Sequence, residues 1–132
     1  MILLDTHALY WLATGDKKLG RTSRARIDQA LAADKLAVSA ISFWELAMLA
    51  SKKRIEANDI EEMRRIALES GIIELPLDGP AAILAAQLDS DHKDPADRFI
   101  AATALRHRAT LVTADERLLA GLPGLPFQDA RK

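Results

Sequence analysis

The 132-residue sequence contains no cysteine. Disulfide scaffolds, thiolate metal centres and a cysteine nucleophile are therefore excluded, and the absence fits a reducing compartment. Long apolar runs are missing as well: Ile2-Leu3-Leu4 is halted by Asp5, and no basic segment precedes it. This falls far short of the roughly 20 residues a membrane span requires, so a soluble, cytoplasmic protein with no membrane association is expected. There is no surplus of positive charge, since 18 Lys and Arg face 19 Asp and Glu for a net charge of −1. No overall field then advertises a polyanionic partner. The basic clusters Arg21-Arg24-Arg26, Lys52-Lys53-Arg54, Arg64-Arg65 and Arg106-His107-Arg108 read singly as solvated helix faces or helix C-termini.

Several α/β chemistries lack their motifs. No glycine-rich loop ends in Gly-Lys-Ser/Thr, and no Gly-x-Gly-x-x-Gly follows the first apolar run, which makes a nucleotide cofactor unexpected. Ser39 and Ser42 have no Gly-x-Ser-x-Gly context for a nucleophile. Asp5 is followed two residues later by His7 rather than by the second acid of a phosphotransfer site. His7, His92 and His107 lack metal-ligand spacing and read as structural or solvated.

What is present is enough for one packed domain over residues 1–132: 49% of the residues are hydrophobic, with no repeat or low-complexity tract to divide them. Short apolar runs at Ile2-Leu3-Leu4, Leu36-Ala37-Val38, Ile72–Leu75, Thr110-Leu111-Val112 and Leu125-Pro126-Phe127 read as strands. Helical spacing fills the intervals at Ala8–Ala13, Ser23–Ala33, Ser42–Leu49, Asn58–Ser70, the stretch from Asp78 through Leu88, and the stretch from Asp94 to Ala104. Asp89–Lys93 is a polar loop, and the tail to Lys132 is expected to fray. Alternating strands and helices predict a mostly parallel sheet of four to five strands with helices on both faces.

Such sheets bind ligands beyond the carboxyl ends of their strands. Asp5 and Asp115 follow strands directly, Glu45 lies a short turn beyond one, and Asp97 opens a helix whose start must also meet an edge of the sheet. Each acid has a modest explanation. Ser42 and Glu45 fit a capping box, as do Thr113 and Glu116; Asp94, ahead of Pro95, fits an N-cap; Asp97 offsets the dipole of the first turn. Four carboxylates sharing one crevice would repel one another unless a cation joined them. Hard oxygen donors select Mg²⁺ or Mn²⁺, ions that activate water and stabilise the leaving oxygen at a phosphodiester.

Four segments together are similar to PIN domains of the VapC toxin family: Ile2-Leu3-Leu4-Asp5-Thr6-His7, the stretch from Val38 to Glu45, the stretch from His92 to Arg98, and the stretch from Leu111 to Glu116. The resemblance spans nearly the whole chain and implies a three-layer α/β/α fold with strand order 3-2-1-4-5. It implies a metal-dependent endoribonuclease, the toxin of a type II toxin–antitoxin system, inhibited by a VapB-type antitoxin and usually dimeric. Position by position, the family's catalytic and metal-binding acids fall on Asp5, Glu45, Asp97 and Asp115, supported by Thr6, Asp94 and Thr113. Two rival readings stand beside it: a PIN-type nuclease of RNA processing or DNA without an antitoxin, and a non-catalytic α/β module whose acids are all helix caps. The pairs Tyr10-Trp11 and Phe43-Trp44 are candidates for antitoxin or dimer contacts, with core packing expected for at least one of each pair.

Overall fold

Strands too short and too apolar to have a wet face must be covered on both sides, and this requirement shapes the molecule. The computed structural model describes residues 1–57, 59–88 and 94–132. The polar loop expected at Asp89–Lys93, with His92, and the helix start expected at Asn58 lie outside the described residues. Five strands, β1 (Ile2–Leu4), β2 (Leu36–Ser39), β3 (Ile73–Leu75), β4 (Thr110–Thr113) and β5 (Phe127–Asp129), form one sheet in the order β3-β2-β1-β4-β5. Every neighbouring pair is parallel. β1 is central, with Leu3 opposite Ala37 on one side and Leu111 on the other. The chain winds from β1 out to β2 and β3, then returns to place β4 on the opposite side, so the order reverses between β1 and β4.

Alternate residues of each strand feed two cores. Ile2, Leu4, Leu36, Val38 and Val112 face one, which α1 (Thr6–Thr14), α2 (Arg21–Ala32), α3 (Ala40–Ser51) and α4 (Ile60–Glu69) cover with Leu9, Ile27, Phe43, Leu46 and Ala67. Leu3, Ala37 and Leu111 face the other, which α6 (Pro95–Arg106) and α7 (Glu116–Leu119) cover with Ile100, Ala101, Ala104 and Leu118. α5 (Gly79–Gln87) packs on α6. Each fully buried leucine contributes about 1.5–3 kcal/mol by leaving water. Ala101, Ala102 and Ala104 are wholly buried, and their small side chains let α6 lie directly on Leu3 at the middle of the sheet. Among the described residues no helix is long and apolar enough to cross a membrane.

Three expectations need correction. α3 begins at Ala40, not Ser42, because the Ser39 hydroxyl at the end of β2 accepts from the Ile41 amide at 3.2 Å and starts the helix at once. The capping box at Ser42 and Glu45 is therefore not formed, and Ser42 lies inside the helix. Thr113 likewise does not cap α7; Asp115 does, its carboxylate accepting from the amides of Arg117 and Leu118. Finally, the C-terminus is strapped down. Gly20 and Thr22 at the start of α2 donate their amides to the carbonyls of Ala130 and Lys132, and the Ser23 hydroxyl donates to the Asp129 carbonyl. Ala130 is completely buried.

The strap leaves no room at Gly20, where an added Cβ would lie 2.2 Å from the Lys132 carbonyl carbon and 2.5 Å from the Arg131 oxygen. Gly20→Ala should therefore cost about 1–3 kcal/mol of stability, the range for forcing extra atoms into a packed site. A lower urea midpoint at unchanged slope would show it; an unchanged midpoint would mean the strap yields freely.

Candidate active site

The ends of β1 and β4 lie side by side at the reversal of strand order, where two helix starts diverge and leave a crevice between them. Asp5 closes β1 and caps α1, its Oδ1 accepting the Ala8 amide at 2.8 Å. Its Oδ2 accepts the Thr113 hydroxyl from the end of β4 at 2.5 Å, so a single buried carboxylate ties the two strand ends together. Thr113 in turn accepts the Asp115 amide at 3.0 Å, which fixes the turn that delivers Asp115. Each carboxylate oxygen of Asp5 retains a further lone pair for another partner. Burial pushes the Asp5 carboxyl up to about 6, opposed by its bonds to Thr113 and Ala8 and by His7 nearby, and reinforced by Glu45.

Asp97 is the hub. It lies in the first turn of α6, half-buried. Burial first, then the surrounding charges of Asp94, Glu45, Asp5 and Asp115, push its carboxyl up to about 8. One oxygen from each of Glu45, Asp94 and Asp97 lies within 4.8 Å of the other two, an arrangement with the donor chemistry of a hard divalent cation. Asp5, Asp97 and Asp115 line a concavity of about 260 Å³ with Ala114, His7 and Trp11. Asp97 belongs to both sets and joins them into one acidic crevice.

The other three acids expected to converge, Asp5, Glu45 and Asp115, are thus brought around Asp97. Glu45 reaches the group from within α3, well past the cap at Ser39, so the local structural excuse foreseen for it is gone. Asp94 holds two positions: its Oδ1 accepts the Ala96 amide at 2.9 Å as the N-cap of α6, while its carboxylate also belongs to the Glu45–Asp97 cluster. Thr6 is buried and turned elsewhere, donating to the Ser42 hydroxyl at 3.2 Å and so bracing α1 against the helix that carries Glu45. Glu116 points outward to an ion pair with Arg131. Two crevice residues were not foreseen, His7 and Trp11. The signal was available: a helix starting directly after Asp5 places residues 7 and 11 on one face beside it.

A larger, apolar groove of about 470 Å³ lies among α1, α2 and α4, lined by residues that include Leu9, Leu12, Leu31, Met63 and Ile66, and it carries none of these carboxylates. Trp44, on α3, is 53% exposed, whereas Phe43 beside it is buried.

A family profile described as PIN domain matches residues 2–121. The sequence is 36% identical over 126 residues to Ribonuclease VapC22 of Mycobacterium tuberculosis, covering 89% of this chain and 88% of that protein. Among solved structures, VapBC2 of Rickettsia felis, bound to a DNA fragment from its promoter, matches 97% of this chain and 98% of that chain with a TM-score of 0.70 at 19% identity. A toxin–antitoxin complex from Klebsiella pneumoniae matches 95% of each chain with a TM-score of 0.64 at 29% identity. At 19% identity the first of these speaks for the fold alone.

The raised carboxyls carry a signature in solution. With Asp5 titrating near 6 and Asp97 near 8, the folded chain keeps protons that the unfolded chain, near 3.8, has already released. The stability they contribute is complete below the unfolded value and is lost as pH rises through about 6 and then about 8. Without metal, the urea midpoint should therefore fall between about pH 5 and pH 8.5, and Asp97→Asn should flatten the upper part of that fall. A midpoint that rises over this interval would contradict the electrostatics described.

Proposed function

This chain belongs to the PIN domain family, and from that premise we propose that it is a metal-dependent endoribonuclease, the toxin of a type II toxin–antitoxin pair. The observation that supports this best is the gathering of Asp5, Glu45, Asp94 and Asp115 around Asp97, whose carboxyl is pushed up to about 8 by burial first and then by these charges. A protein gains nothing in stability from such a cluster unless a cation binds it. An RNA backbone, itself a polyanion, meets five carboxylates at tolerable cost only with positive charge between them. The donors of the Glu45–Asp94–Asp97 cluster are all oxygens, which suits Mg²⁺ or Mn²⁺ and disfavours softer metals.

Glu45, Asp94 and Asp97 would hold the ion, with Asp5 and Asp115 facing the same space from the strand ends. Bound there, a divalent ion supplies Lewis acidity at the phosphodiester and a water of lowered pKa. The chain's own residues do the rest. Thr113 locks the Asp5 carboxylate in one orientation through its 2.5 Å hydrogen bond. The N-termini of α1, α6 and α7, capped by Asp5, Asp94 and Asp115, present their positive dipole ends to the crevice and favour ionised carboxylates. Asp97, whose carboxyl is raised furthest, is the acid most dependent on the ion for its charge.

The reading in which every acid is merely a cap is disfavoured by Glu45, which lies inside α3 well past the cap at Ser39. A nuclease acting without an antitoxin is disfavoured by the 36% identity to a VapC ribonuclease over most of the chain. The proposed setting is cytoplasmic, as one domain over residues 1–132, with the exposed Ile83 and Trp44 available to contacts in a homodimer. The groove among α1, α2 and α4 suits an apolar stretch of a VapB-type antitoxin, and Ile66, 55% exposed at its rim, is the group such a partner would cover.

The purified chain should cleave structured RNA with Mg²⁺ or Mn²⁺, lose the activity in EDTA, and lose at least about a hundredfold in kcat/KM in Asp97→Asn with its circular dichroism unchanged. Full activity in that variant would remove the site from consideration. Ile66→Asp should still cleave RNA, yet its growth arrest should no longer be relieved by co-expression of a VapB-type antitoxin that relieves that of the parent. Relief equal to that of the parent would place the antitoxin elsewhere.

A further inference from the structure

Two ring side chains border the acidic crevice and take no part in the chemistry above. Because α1 starts at Thr6, His7 and Trp11 stand four residues apart on one helical face, and both line the concavity of about 260 Å³ with Asp5, Asp97 and Asp115. His7 is exposed and Trp11 half-buried. Their ring centroids are 6.4 Å apart and their planes tilted by 58°, so the two rings are not stacked in parallel on each other. Trp11 also packs against the core beneath, which holds its ring in place before any ligand arrives.

Apart from Ala114, the rest of the crevice wall is carboxylate, which attracts a cation and repels a phosphate. It offers a nucleobase little by way of donors. The two rings offer what every base can use, a π face, whatever the sequence. A base inside an A-form helix is stacked on its neighbours and unavailable, whereas a base in a loop or bulge can turn outward onto an aromatic surface. A strand that delivers a phosphodiester to Asp97 brings its adjoining base into the same small concavity.

Resting on the ribonuclease reading, we propose that His7 and Trp11 form a nucleobase-binding site that stacks one unpaired base beside the bond to be cut. The site positions substrate and is not selective among bases by hydrogen bonding. It confines cleavage to single-stranded elements of the target, since a paired base cannot reach the rings.

The test uses the full chain as Asp97→Asn, which holds RNA without cutting it, and an oligoribonucleotide containing the bond the parent protein cleaves. One abasic residue is stepped through the positions flanking that bond, and Kd is read by anisotropy. One position should weaken binding by about 5- to 100-fold, the range for losing one stacked base. Adding His7→Ala, an exposed change that leaves the core intact, should shrink that penalty, as should Trp11→Leu. In a Trp44→Phe background Trp11 is the sole tryptophan, and its fluorescence should be quenched by the intact oligonucleotide and not by the critical abasic one. Equal affinity at every abasic position, or a penalty that persists undiminished in both variants, overturns the site while RNA cleavage by the parent stands. If the parent cleaves no RNA at all, the ribonuclease reading itself fails.

Discussion

Everything at the functional end of this protein depends on keeping like charges together in partly dry surroundings. Five acids approach one another where two strand ends and three helix starts meet; burial first, with the neighbouring acids adding to it, raises the carboxyls of Asp5 and Asp97. The fold meets part of that cost with backbone amides. Asp5, Asp94 and Asp115 each accept from the first turn of a helix, so their negative charge serves a structural purpose even before a ligand arrives. Glu45, inside α3 and well past the cap at Ser39, performs no such service.

The sheet makes the meeting possible. Parallel strands all point their carboxyl ends the same way, and the reversal of order between β1 and β4 opens a gap there that no helix fills. Leu3 and the alanine face of α6 then set the depth of the gap: with bulkier side chains at Ala101 or Ala104, α6 would ride higher on the sheet and carry Asp97 away from Asp5. Packing on one face of the sheet thereby determines spacing in the crevice at its edge.

Much of this was legible in the sequence, because the signals were local and strong. Short apolar runs ended by polar residues located the first four strands, the fifth run, Leu125-Pro126-Phe127, meets its strand Phe127–Asp129 only at Phe127, and Asp-Pro before an alanine-rich stretch located α6. The misreadings share one cause, a choice between overlapping polar residues at a junction. At Ser39-Ala40-Ile41-Ser42 two serines compete to cap α3, and the first wins because β2 ends directly at it, leaving Ser42 to receive Thr6 instead. At Thr113-Ala114-Asp115 the threonine is drawn away by a partner 108 residues distant, Asp5, which no local pattern reveals. The tail was misjudged for the same reason, since its anchors on α2 lie more than a hundred residues earlier. His7 and Trp11 went unrecognised because ring side chains near a strand end look like core until the helix start is known to the residue.

The hydrogen bond from Thr113 to Asp5 spans nearly the whole polypeptide. An N-terminal portion of the chain, however well it assembles β1, β2 and β3, contains Asp5 and Glu45 but has neither Asp97 nor the strand that steadies Asp5. The acidic crevice is accordingly incomplete in any such piece: its full set of carboxylates needs α6, β4 and the turn to Asp115 as well as the N-terminal strands.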